Sequence, residues 1–222
     1  MKMYAKVDIF LKKLKRLVRK EFDRQAAFPF DELNARFVKK ETRALYQRLK
    51  KFNRLNYLEI AREGQEWAFQ ALPESLKEKK YKSKLENADM GEIVASTLAS
   101  YNFVTGYLYE SEAERKRMRQ AEEMLTAALL YTRAKYRQAM DRSATLWYRQ
   151  SAQYAIDVED EAVMDTWRAA GIEKVEWVAE DDAKTCSACR ERDGKTYALA
   201  DLPQKPHYNC RCTWRPVWSE KT

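Results

Sequence analysis

Thr185-Cys186-Ser187-Ala188-Cys189, followed 17 residues later by His207-Tyr208-Asn209-Cys210-Arg211-Cys212, is the stretch around which this chain has to organise itself. All four cysteines and the single histidine of the 222-residue sequence fall within its last 37 residues. Each cluster can bend back on itself to offer two donors, and the loop between them closes a cage, which is what a tetrahedral metal ion needs. Cys186, Cys189 and Cys210 supply three thiolates. His207 or Cys212 supplies the fourth donor, which leaves one of the five in reserve. Four soft ligands without an open position make a structural zinc site rather than a catalytic one. Such a site contributes on the order of 10–16 kcal/mol to the folding of a small module, and zinc is the expected cofactor.

Working outward, two short strands frame the cluster. Val175, Trp177 and Ala179 alternate with Glu176, Val178 and Glu180, the period-2 pattern of a strand. Residues 213–218 read as a second strand that pairs with it. Gly171, just upstream, reads as the C-cap of a helix. Before Gly171 the texture changes. Five Gly and five Pro in the whole chain are few, and Ala, Leu, Glu, Lys, Arg and Gln dominate, which argues for long uninterrupted helices.

Val7, Phe10, Leu11, Leu14, Leu17, Val18 and Phe22 recur at helical spacing, while Lys12, Lys13, Lys15, Arg16, Arg19 and Lys20 fill the opposite face. This is a basic amphipathic helix. Its apolar face is expected to dock on another helix or on a partner protein; DNA contact and a membrane surface are the competing uses. Phe28-Pro29-Phe30-Asp31 ends it, with Asp31 expected to cap the next helix. Residues 31–72 contain no Pro and only Gly64. They read as one very long helix, or two joined near Asn53 and Asn56, stopped at Pro73. A short charged helix is expected over 75–86 and a buried helix or helical hairpin over 87–109. Residues 112–140 read as strongly helical, with Met118, Ala121, Leu125, Ala128, Leu129, Thr132 and Tyr136 on one stripe. Residues 144–170 give one or two further helices.

The expected architecture is therefore mainly α, with long helices in the N-terminal part, residues 1–150, and a small C-terminal α+β zinc-binding module, residues 151–222. A metal module that closes on itself should be independent of the first helix. The net charge of +8 is unevenly spread: residues 1–150 carry +12 and residues 151–222 carry −4. A basic helical part suits a polyanion or an acidic protein surface. No apolar run approaches 18 residues, so no membrane partner is expected, and no secretory signal opens the sequence. Reduced cysteines in a cytosolic setting favour metal binding over disulfides.

Enzymatic signatures are absent from the sequence pattern. There is no Gly-rich phosphate loop, and no Ser/His/Asp set is possible away from His207. Metal-dependent nucleases share this cysteine spacing, but they need a general base and usually a second histidine. Glu180, Asp181 and Asp182 read as carboxylates in a turn. Trp147, Trp167, Trp177, Trp214 and Trp218 read as core and interface anchors.

The segment from Val175 through Thr185-Cys186-x-x-Cys189, Asp193-Gly194-Lys195 and Pro206-His207-x-x-Cys210-Arg211-Cys212 resembles the C-terminal module of phage head morphogenesis proteins, the Mu F-like minor capsid proteins. The likeness covers about residues 160–217. It departs from the family pattern at Tyr208, where relatives carry proline, and at Ser151-Ala152-Gln153-Tyr154, where members often carry Arg-Thr-Glu. The resemblance implies a non-enzymatic minor capsid protein acting in head assembly. Its partners would be the portal protein and the capsid and scaffold proteins, with packaged DNA touched non-specifically. It would be made in the host bacterial cytoplasm and retained in the virion, inside the capsid. A DNA-binding protein or metal-dependent nuclease used in packaging or ejection is the alternative.

Overall fold

The computed structural model describes residues 3–77 and 112–218. The structure is mainly α, with a small three-stranded antiparallel sheet at the C-terminal end. Four helices make the body: α1 (Ala5–Ala26), α2 (Ala35–Gln70), α3 (Glu112–Ala128) and α4 (Arg133–Ala169). The expected elements over 78–86 and 87–109 lie outside the described residues; within 75–77 the structure shows the end of a 3-10 turn, Glu74–Leu76.

The sequence explains most of these boundaries. Pro29 fixes the backbone ahead of a 3-10 turn, Phe30–Glu32, that separates α1 from α2. The cap of α2 is Asn34, not Asp31: the Asn34 side chain accepts the Phe37 N–H at 3.0 Å, because the intervening 3-10 turn moves the helix start three residues on. α2 then runs 36 residues without a break at Asn53–Asn56, about 54 Å of helix. The single helical run expected over 112–140 is in fact two helices. α3 ends at Ala128, and Thr132 caps α4 by accepting the Lys135 N–H at 3.3 Å. The continuous stripe hid the break because Leu129 still packs on the core while Thr132 has turned outward.

α4 is the axis of the molecule. It packs along α2, with α1 and α3 beside both, and it passes unbroken through residue 150. From Gln150 to Ile156 every residue is buried, the signature of a helix surrounded on all sides. The helix ends in a Schellman motif: Ile172 N–H reaches the Trp167 carbonyl and Gly171 N–H reaches the Arg168 carbonyl, both at 3.0 Å. Gly171 takes a positive φ of 76° there, which glycine adopts without a Cβ penalty.

The apolar face of α1 is consumed inside the chain. Phe10, Leu14 and Val18 are at most 1% exposed, and Phe10 stacks on Phe52 of α2 at 5.6 Å. Lys12, Lys13, Lys15, Arg16, Arg19 and Lys20 all face outward. The apolar face thus docks on other helices of the same chain, and the face left for any partner is the basic one.

The sheet has the order β2-β1-β3, with β1 (Lys174–Val178), β2 (Thr196–Ala198) and β3 (Thr213–Val217) all antiparallel. The expected pairing of the first and last strands is present, with Trp177 opposite Trp214 and their rings edge-on at 4.8 Å. β2 was not foreseen: three residues are too few to show an alternating pattern. Among the described residues no helix is long and apolar enough to cross a membrane.

Gly64 sits in the interior of α2, where glycine costs about 1 kcal/mol relative to alanine. Its place is explained by close approach: a Cβ would stand 2.8 Å from the Glu159 backbone oxygen and 3.1 Å from Glu159 Cγ on α4. Gly64→Ala is therefore expected to destabilise the protein by about 1–3 kcal/mol despite its better helix propensity. Chemical denaturation checks this; a gain in stability would show that α2 and α4 do not approach so closely.

Candidate metal centre

The donors come from three pieces of backbone. Cys186 precedes a single helical turn, α5 (Ser187–Arg190), which carries Cys189. Arg190 pins the start of this turn: its guanidinium donates to the Thr185 carbonyl from Nε at 3.0 Å and from Nη2 at 2.5 Å. Asp182 shapes the approach by accepting the Lys184 N–H at 2.9 Å and the Thr185 hydroxyl at 3.0 Å. That carboxylate is held below its ordinary range, chiefly by the Thr185 hydroxyl, so the Asp-rich segment is a turn, as read. Downstream, Asp193 accepts the Ala179 N–H at 2.8 Å. Gly194, at φ 72°, donates to the Trp177 carbonyl at 2.9 Å, tying the Asp-Gly-Lys turn to β1.

All five expected ligands come together, with Cys189 at the junction. Cys186, Cys189 and His207 form one group whose donor atoms lie within 4.8 Å of one another, and Cys189, Cys210 and Cys212 form a second. Cys189 Sγ is 3.5 Å from His207 Nε2 and 3.6 Å from Cys210 Sγ. A tetrahedral ion with M–S of about 2.3 Å and M–N of about 2.0–2.1 Å has S···S edges of about 3.8 Å and S···N edges of about 3.5 Å. The four cysteines are free thiols. Cys189, Cys210 and Cys212 are buried, Cys186 is half-buried and His207 is exposed. Burial pushes the Cys189 and Cys210 thiols above their ordinary value. The Cys186 thiol is lowered, first by the backbone N–H of Cys189. A thiol made more acidic by a backbone N–H, beside buried thiols that need a cation to ionise, is a donor set that can hold a metal ion. Cys210 and Cys212 precede β3, which begins at Thr213, and both lie in the donor group around Cys189.

The chain matches no family model, no characterised protein and no solved structure.

The site is not self-contained, contrary to the expectation that it would be independent of the first helix. Tyr4, just ahead of α1, is 1% exposed and is held at φ 64°, a left-handed conformation costly for a bulky residue. Its hydroxyl donates to Asp160 Oδ1 on α4 at 2.5 Å and accepts from Lys205 Nζ at 2.6 Å. The ammonium of Lys205 also meets Asp160 Oδ2 at 2.5 Å. The same hydroxyl lies 3.3 Å from the Cys212 carbonyl. Arg211, between two ligands, reaches Asp8 of α1 at 3.0 Å and lies over the Tyr4 ring at 4.8 Å. On the other side, Gln153 accepts the Asn209 N–H at 2.6 Å, and Asn209 is at φ 57°. The segment Ser151-Ala152-Gln153-Tyr154 thus supports the ligand loop. Tyr4, Gln153, Asp160 and Lys205 were not found from sequence. Their contacts with one another and with the ligand loop run from 45 residues apart, Asp160 to Lys205, to 208 apart, Tyr4 to Cys212, and leave no local spacing to read.

Glu159, beside Asp160, is fully buried. Its Oε1 accepts the Tyr4 N–H at 2.9 Å, and its Oε2 has no hydrogen-bond partner among the described residues. Burial pushes this carboxyl up to about 8, opposed by the Tyr4 N–H. The unfolded chain ionises a glutamate near its ordinary value of 4.5, so between there and about 8 the unfolded state binds fewer protons. Stability should therefore fall as pH rises through that window and level off above it. Glu159→Gln keeps the Oε1 acceptor and should flatten the slope, gaining on the order of a few kcal/mol over wild type at pH 9 relative to pH 5. Urea midpoints across this range check it; parallel curves would mean that Glu159 is not the group being titrated.

Proposed function

We propose that the chain is a structural minor capsid protein of phage head assembly, whose C-terminal module is locked by one zinc ion. The observation that carries the reading is the convergence of the Thr-Cys-x-x-Cys and His-x-x-Cys-x-Cys donors around Cys189, in the order that the Mu F-like resemblance implies. Sulfur-rich donor sets favour zinc among available divalent ions. The distances from Cys189 to His207 and to Cys210 match tetrahedral edges; the two donor groups share only Cys189, so an ion would draw Cys186 and Cys210 to one centre with His207 or Cys212. A closed shell leaves no place for an attacking water, and the one histidine is already drawn to it, which supports a structural role over the nuclease alternative.

The metal arm of the test is elemental analysis of purified protein, with about one zinc per chain expected. Cys186→Ser, Cys189→Ser and Cys210→Ser should each lose the ion. Exactly one of His207→Ala and Cys212→Ser should lose it outright. Tyr4→Phe should weaken retention against a chelator several-fold, because the hydroxyl that bridges Asp160, Lys205 and the Cys212 carbonyl is gone. Two disulfides and no metal would overturn the zinc assignment.

The functional arm is capture of a portal protein, which this reading requires the same phage or prophage to encode. Because Phe10, Leu14 and Val18 are buried, α1 can offer a partner only its basic face, so its contribution to capture should fall with added salt. Lys12→Glu with Arg16→Glu should weaken capture at least several-fold, whereas Leu14→Asp should unfold the bundle. No portal capture by the folded, metal-loaded chain at low or physiological salt would remove the assembly reading. DNA cleavage that vanishes in a point variant would replace it with the nuclease.

A further inference from the structure

A cleft of about 340 Å³ opens between α3, α4 and the ligand loop, lined by Arg117, Leu146, Arg149, Gln150 and Tyr208. We propose that this cleft binds a phosphate group, clamped between the Arg117 and Arg149 guanidiniums and met by the Tyr208 hydroxyl. The inference stands apart from the assembly reading, since it rests on the lining alone.

Two helices bring like-charged donors, Arg117 and Arg149, to one place, the ligand loop adds the neutral Tyr208 phenol, and no carboxylate is among the described lining residues. The Arg117 guanidinium gives Nη1 to the neutral side chain of Gln120 at 2.8 Å, which leaves its charge uncompensated by that contact. The Arg149 guanidinium carbon lies 5.9 Å from the centre of the Tyr208 ring, a stacking that leaves the edge donors of the guanidinium directed away from the ring. Asp157, one turn beyond Gln153 on α4, already accepts the Gln153 amide at 2.7 Å. Gln150, 6% exposed, adds an amide to the buried wall, and Leu146 supplies an apolar one.

Paired guanidiniums in a fixed fork are the protein group best matched to phosphate oxygens. Two of them converging without an acid in the lining cost electrostatic repulsion that a bound anion would relieve. The volume exceeds that of one phosphate, so a phosphate carried on a nucleotide strand fits as well as the free ion. Tyr208 lies between His207 and Cys210, so an occupied cleft would press on the ligand loop.

The test titrates the full metal-loaded chain with inorganic phosphate and, separately, with a short single-stranded oligodeoxynucleotide, following the arginine Nε–H resonances by NMR. Binding of either probe with shifts at Arg117 and Arg149 supports the proposal. An oligonucleotide affinity at least tenfold above that of phosphate, with a steep salt dependence, identifies a strand as the source. Arg149→Ala and Arg117→Ala should each lower affinity at least tenfold, Arg149→Lys less, and Tyr208→Phe two- to fivefold with zinc content unchanged. Lys12→Ala and Arg16→Ala, on the outward face of α1, should change it less than twofold. Equal losses from the α1 variants, or no binding of either probe at low salt, would overturn the proposal.

Discussion

The contact on which the rest depends is the buried triangle of Tyr4, Asp160 and Lys205. Its hydrogen bonds are fully consistent: the ammonium donates to the carboxylate and to the phenol, and the phenol donates to the carboxylate. Burial pushes the Asp160 carboxyl up, and the Lys205 ammonium pulls it back. A buried ion pair is weak grounds for stability, because desolvation consumes most of the attraction. Its value here is positional. It joins the start of α1, the middle of α4 and the loop ahead of His207 at one point, and each of the three groups would be left unsatisfied if another slid away.

That point explains why the metal centre is not a detachable module. A small segment with little apolar core normally owes its fold to the ion alone. In this chain Trp167, Ile172, Val175, Trp177, Cys189, Cys210 and Trp214 belong to one continuous core with Phe10, Leu45 and Ile60. The Trp167 indole N–H donates to the Ala68 carbonyl at 3.0 Å, tying the end of α4 to the end of α2. The candidate donor cluster and the bundle packing therefore draw on the same contacts, and a loss on one side is felt on the other.

What could be read from the sequence follows from range. The clustering of the Cys and His donors was readable because cysteine spacing is local and few other arrangements use it. The length of α2, the Gly171 cap and the pairing of residues 213–217 with 174–178 were readable because 3.6- and 2-residue periods repeat within a window. The Asn34 cap, the break before Thr132 and the three-residue β2 were lost at the same resolution, since each turns on one or two residues against a continuing pattern. Tyr4 carried no signal at all: a tyrosine in the first turn of a basic helix looks like surface until the chain has closed on it from more than 150 positions away.

The apolar stripe of α1 shows how such a pattern can be right about structure and silent about partners. Periodicity says that Phe10, Leu14 and Val18 need cover; it does not say whose. The cover is α2 and α4, and once it is supplied the helix meets the outside mainly through lysine and arginine, with Asp8, Ile9 and Asp23 the other exposed positions. α1 is thus fixed at its start by Tyr4 and Asp8 to the ligand loop, and along its length by its own core. Any partner that engages it reads charge on a rigid rod rather than an apolar groove. Its grip will be screened by salt, and the partner's complementary surface has to be acidic protein or nucleic acid backbone.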